Sequence, residues 1–200
     1  PDEGYYKGIR HLCDDYNVLM VADEIQTGLC RTGHMLACDV EKVRPDILIL
    51  GKALSGGVLP VSAVLADDEI MMTIQPGEHG STYGGNPLAC KVAMAALAVL
   101  KDENMAANAA AMGKLFRDEL AALNSPYIST IRGRGLLNAI VIKHSNPDAA
   151  WELCVAMKEN GLLAKPTHGD KIRFAPPLVI NEAQVKEAVE IIKKSLAILT

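Results

Sequence analysis

Val18-Leu19-Met20-Val21-Ala22-Asp23-Glu24 is an apolar run that stops on two carboxylates, and Asp46-Ile47-Leu48-Ile49-Leu50-Gly51-Lys52 is a second one that ends on a glycine and an amine. Neither run alternates apolar with polar residues, the pattern of strands covered on both faces in a parallel sheet. The roughly two dozen residues between them are enough for a parallel crossover, which needs a dozen or more. Two neighbouring parallel strands over 18–22 and 46–50 follow. Asp23 and Lys52 would then emerge together at the carboxyl ends, where open α/β sheets place their ligand crevice.

Working outward, residues 4–17 carry Tyr6, Ile9, Leu12, Cys13 and Tyr16 at helical spacing, so a helix leads into the first strand. A third apolar run, 61–66, follows Lys52 after a link too short for a crossover, which favours an antiparallel return. Asn86-Pro87 reads as an N-cap and first helical residue, opening an alanine-rich helix through Leu100 whose nearly apolar surface predicts deep burial. From about Asp102 the texture changes. A helix with Met112, Leu115, Phe116, Leu120 and Leu123 precedes short strands over 128–132 and 136–142. A helix from Asn146-Pro147 to Asn160-Gly161, a strand over 171–174, and a last helix opened by an Asn181/Gln184 capping box follow. The expected division is 1–103 for one domain and 104–200 for a smaller α+β domain.

The composition closes off several classes. Half of the 200 residues are apolar and the net charge is −4, with no basic groove interleaved with aromatics, so nucleic acid is not an expected partner. The longest uncharged run, 53–66, is too short for a membrane span and is broken by Gly56, Gly57 and Pro60, so no membrane is expected. Five cysteines without a tight pairing pattern read as reduced core thiols of an intracellular protein. Cys30, His34 and Cys38 lack a second ligand pair at zinc spacing, so no metal is expected. Gly51-Lys52 is not a nucleotide P-loop, since the preceding glycine and following serine or threonine are missing. Taken alone, Asp23 and Lys52 read more readily as an ordinary ion pair or a solvated strand edge than as a catalytic pair.

The flanking motifs carry more. ADEIQTGLCRTG over 22–33, GKALSGG over 51–57 and GEHGSTYGGNPLAC over 77–90 closely resemble the C-terminal half of the class III pyridoxal-phosphate aminotransferases. GLLAKPTHGD over 161–170 and IRFAPPLVI over 172–180 look most like their ornithine-using members. The resemblance implies an α/β protein of fold type I, here a partial large domain, mostly parallel sheet with helices, plus the small C-terminal α+β domain.

It also implies the cofactor, pyridoxal 5'-phosphate. Lys52 matches the lysine that holds it as a Schiff base; the amine must be neutral to attack an aldehyde, which a dry site near positive charge favours, and once released it can shuttle a proton. Asp23 matches the carboxylate that bonds the pyridine nitrogen and keeps it protonated. At about 4 Å and an effective dielectric near 20 such an attraction is on the order of 4 kcal/mol before desolvation. Gln26 matches the amide beside the cofactor's phenolic oxygen. Ser81 and Thr82 match a stretch that reaches the phosphate in a neighbouring subunit, which implies a homodimer with shared active sites. Arg173 matches the arginine that holds a substrate carboxylate, a task for which its planar fork is suited. Arg31 could equally anchor a loop or touch substrate.

The implied reaction moves the δ-amino group of ornithine to 2-oxoglutarate or another 2-oxo acid, giving glutamate-5-semialdehyde and glutamate. The mitochondrial matrix is the expected location, the cytosol the alternative. Pro1 stands where an initiator methionine would, and the glycine-containing phosphate cup and ring-stacking aromatic of the family map before it, so the chain is expected to be part of a longer polypeptide. The alternatives are a truncated homologue without catalysis, acting as a binding or structural fragment, and a relative acting on acetylornithine or 4-aminobutyrate.

Overall fold

A computed structural model describes residues 2–199 as two compact units, one formed by 2–30 and 34–104, the other by 31–33 and 105–199. In the first, helix α1 (Tyr5–Asp15) precedes strand β1 (Val21–Asp23). A short 3-10 turn (Ala37–Glu41) leads to β2 (Ile47–Leu50), a second (Lys52–Ser55) to β3 (Ala63–Ala66), and a single-turn helix α2 (Asp68–Met71) to the long α3 (Pro87–Asp102). The sheet order is β1-β2-β3, with β1 parallel to β2 (Asp23 opposite Ile49) and β3 antiparallel to β2 (Ala63 opposite Leu50). Both pairings follow from the linker lengths.

α1 lacks a capping side chain of its own. The buried Glu41 carboxylate supplies one from a distance, accepting the Gly4 and Lys7 N–H groups at 3.1 and 3.0 Å. Arg10 then ties the helix to the start of β2 through Asp46 at 2.7 Å, and Asp46 also accepts the Met20 N–H at 2.6 Å just before β1. The ladder with β2 begins at Val21, opposite Ile47, just after this junction.

Three expectations fail here. β1 is shorter than the apolar run, and from Leu19 onward burial alternates: Met20, Ala22 and Glu24 are buried, whereas Leu19 and Val21 are more than half exposed. Period-2 geometry explains it, because within this chain only one face of the strand is covered. α3 is not deeply buried either; Ala89 alone is buried, and Leu88, Met94, Leu97 and Val99 lie in solvent. Of the cysteines, Cys30, Cys38 and Cys154 are buried free thiols, but Cys90 is exposed. No helix is long and apolar enough to cross a membrane among the described residues.

In the second unit α4 (Met105–Ala122) is followed by β4 (Ile128–Arg134), β5 (Leu137–Ile142), α5 (Ala149–Glu159), β6 (Lys165–Thr167), β7 (Lys171–Phe174) and α6 (Glu182–Ser195). The sheet is antiparallel in the order β4-β5-β7-β6. Phe116, Leu120, Ile140, Leu153, Met157, Ile172, Val189 and Ile192 join its helices and sheet in one core. Gly113 faces the Gly135 carbonyl so closely that a Cβ would collide with it. The Asn181 cap is formed as the sequence predicts, its Oδ1 accepting Gln184 N–H at 3.0 Å and Gln184 Oε1 accepting Asn181 N–H at 3.1 Å.

Candidate functional site

The carboxyl ends of β1 and β2 meet at one edge of the first unit. The ladder runs one residue beyond β1, since Glu24 N–H donates to Ile49 O at 3.0 Å, and the chain then turns over residues 24–28. On the neighbouring strand Gly51 leads straight into the turn that starts at Lys52, closed by Leu54 N–H to Gly51 O at 3.0 Å. A methyl placed on Gly51 would touch Ile25 at 3.4 Å, so the turn after Asp23 lies against the residue before Lys52. The structure therefore brings Asp23, Gln26 and Lys52 to one end of two adjacent strands.

All three side chains are exposed. Asp23 Oδ1 accepts the Ile25 N–H at 3.0 Å, which fixes the carboxylate at the strand's tip. Lys52 adopts a left-handed backbone with φ of 42°, which costs a non-glycine residue on the order of 1–3 kcal/mol and clusters at working sites. The dry surroundings expected for this amine are not supplied by the described residues.

Glu24 was missed as a separate element by sequence reasoning, which took it with Asp23 as a strand-ending pair. It is only 3 % exposed. Its Oε1 accepts Cys38 N–H at 2.9 Å and its Oε2 the Thr27 hydroxyl. Burial pushes the Cys38 thiol up to about 12, with the Glu24 carboxylate adding to the effect. Strand alternation is the signal that could have found it: Glu24 is two residues beyond Ala22 and shares its buried face.

Ser81 and Thr82 sit in an exposed loop before α3, where Ser81 Oγ accepts Gly84 N–H at 2.9 Å. Arg173 belongs to the second unit, half-buried on β7 between the buried Ile172 and Phe174 and opposite Ala139 of β5. Arg31 is also in that unit. Its guanidinium donates to the carbonyls of Leu136 at 3.1 Å and Pro176 at 2.6 Å, and burial lowers its proton affinity, so it anchors these two loops. Among the described residues no group of three or more His, Cys, Asp or Glu is gathered to hold a metal ion.

Comparison with known proteins identifies the family. Residues 1–196 match the family model described as "Aminotransferase class-III". The mitochondrial ornithine aminotransferase of Drosophila melanogaster is 64 % identical over 196 residues, 98 % of this chain and 45 % of that protein. The solved acetylornithine aminotransferase of Elizabethkingia anophelis is 57 % identical with a TM-score of 0.94, over 98 % of this chain and 50 % of that one. An ornithine aminotransferase of Toxoplasma gondii, described with partial occupancy of PLP at its active site, is 50 % identical with a TM-score of 0.94, over 100 % of this chain and 47 % of that one. The chain thus spans about half the length of the relatives it matches. With motifs, strand pairing and a match along nearly its whole length in agreement, the chain belongs to the class-III aminotransferase family.

Proposed function

We propose that the protein acts as a pyridoxal-phosphate-dependent aminotransferase, moving the δ-amino group of ornithine to a 2-oxo acid such as 2-oxoglutarate. The observation that carries this reading is the emergence of Asp23 and Lys52 at the same end of adjacent parallel strands, with Ile25 packed against Gly51. An anionic acceptor and a primary amine presented side by side fit the two poles of the cofactor, a basic ring nitrogen and an aldehyde.

When bound, the cofactor supplies an electron sink and carries nitrogen between the two substrates. The protein's own tasks follow from its residues. Asp23 holds a proton on the pyridine nitrogen through its carboxylate, and its bond from Ile25 N–H keeps that carboxylate aimed outward. Lys52 secures the cofactor through Nζ and, once freed, moves a proton at the carbon from which the amine departs. Gln26 lends an amide to the ring's oxygen substituent. Ser81 and Thr82, exposed on their loop, offer hydroxyl and N–H donors to a phosphate, which in this reading belongs to a second copy's site; the working unit is a homodimer. Arg173 pairs with a substrate carboxylate. The name of the Drosophila relative supports a mitochondrial location.

The test is a titration of the purified protein with pyridoxal phosphate, followed by absorbance. A saturable band of lysine-bound cofactor that is lost in Lys52→Ala supports the reading. No band, or one unaffected by the substitution, overturns it and favours a catalytically silent homologue. A second reading comes from the 57 % identity to the Elizabethkingia acetylornithine enzyme: acetylornithine as amino donor. Product analysis with ornithine as sole donor decides between them.

A further inference from the structure

The buried carboxylate beside Asp23 plays no part in the chemistry above. A carboxylate 3 % exposed costs several kcal/mol unless donors satisfy it. Glu24 has two, the Cys38 N–H and the Thr27 hydroxyl. Both are neutral. No charge is being cancelled, so the residue is best understood by what these bonds hold in place.

One carboxylate oxygen reaches 14 residues along the chain to the 3-10 turn at Cys38, and the other reaches three residues ahead to Thr27. Between Glu24 and Thr27 lie Ile25 and Gln26. The same turn is closed by Gly28 N–H to Glu24 O at 2.9 Å, so tightly that a Cβ at Gly28 would approach that oxygen to 2.8 Å. Within the turn the Ile25 N–H donates to Asp23 Oδ1. The direction of the Asp23 carboxylate therefore depends on a peptide whose place is set from both sides by Glu24.

We propose that Glu24 is a positioning residue for the cofactor ring, clamping the turn over residues 23–28 so that the Asp23 carboxylate and the Gln26 amide meet that ring in a single geometry. It rests on the pyridoxal-phosphate reading. Glu24 touches none of the reacting atoms. An apolar side chain in its place takes the acceptor away from the Cys38 N–H in the core and unties the Thr27 hydroxyl from the start of the turn, which then trades one geometry for several.

The test uses Glu24→Ala and Thr27→Val in the whole protein, with Asp23→Asn as reference. Amide exchange at Ile25 is followed by NMR without cofactor, and the pyridoxal phosphate dissociation constant is measured well below the melting temperature. In Glu24→Ala the Ile25 amide exchanges about tenfold faster or more, and the dissociation constant rises about tenfold or more. Thr27→Val moves both in the same direction by about threefold. A merely structural Glu24 lowers the melting temperature and leaves both quantities at their unmutated values, which overturns the proposal. If Glu24→Ala does not fold, Thr27→Val decides the matter alone, and unchanged values there overturn the proposal. Failure of the underlying reading looks different: the unmutated protein then shows no saturable cofactor binding, and the positioning role falls with it.

Discussion

Asp23 and Glu24 are adjacent carboxylates with opposite fates, and the difference is one step of strand alternation. Asp23 shares the open face of β1 with Val21, whereas Glu24 shares the buried face with Ala22. Asp23 is thus free to serve a ligand. Asp23→Asn keeps the shape and the acceptor for Ile25 N–H but removes the charge that, in the proposed reading, holds a proton on the cofactor's ring nitrogen. We expect cofactor binding to persist while turnover falls by about a hundredfold or more; single-turnover kinetics on the loaded protein measures it, and an unchanged rate refutes the role. Asp23 and Lys52 were legible as a pair from the two apolar runs, because strand ends are written in the sequence. The roles of Gln26, Ser81, Thr82 and Arg173 came from resemblance alone, since a loop amide, a Gly-Ser-Thr turn and a strand arginine have no periodicity that announces a ligand.

At the scale of elements, the helices with caps were the most readable. α3 starts at Pro87 behind Asn86, whose Oδ1 accepts Ala89 N–H at 2.9 Å, and α6 starts behind the Asn181/Gln184 box. That box orients the helix whose Val185, Val189 and Ile192 fill the second core. Asn181→Ala removes one of its two bonds and should cost about 1 kcal/mol, lowering the melting temperature by roughly 2–4 °C; a calorimetric scan checks it. β6 went unread because Lys165-Pro166-Thr167 has neither an apolar run nor alternation, and it exists only by pairing with β7. The burial of α3 was misread for a related reason. Apolar composition states what a surface prefers, not whether this chain covers it.

For the molecule as a whole, two buried thiols set an alkaline limit. Burial raises Cys38 to about 12 and Cys154 to about 11, from an ordinary 9.0. Below pH 9 both are neutral whether the chain is folded or not, and the native state keeps its full margin. As pH climbs from 9 toward 11 and 12 the unfolded chain releases these protons while the folded one retains them, so stability falls. Urea midpoints taken at rising pH should decline above about pH 9, and Cys154→Ala should make the decline shallower. A slope unchanged by that substitution refutes the assignment.

Residues 31–33, which belong with 105–199, give the order of synthesis a physical meaning. Arg31 lies 105 and 145 residues ahead of the carbonyls it binds. At about 5–20 residues per second the ribosome delivers those carbonyls roughly 5–30 s after the arginine. Over that interval the guanidinium lacks its Pro176 partner, and this short stretch cannot be held by both of its bonds until the last strand, β7, has been made.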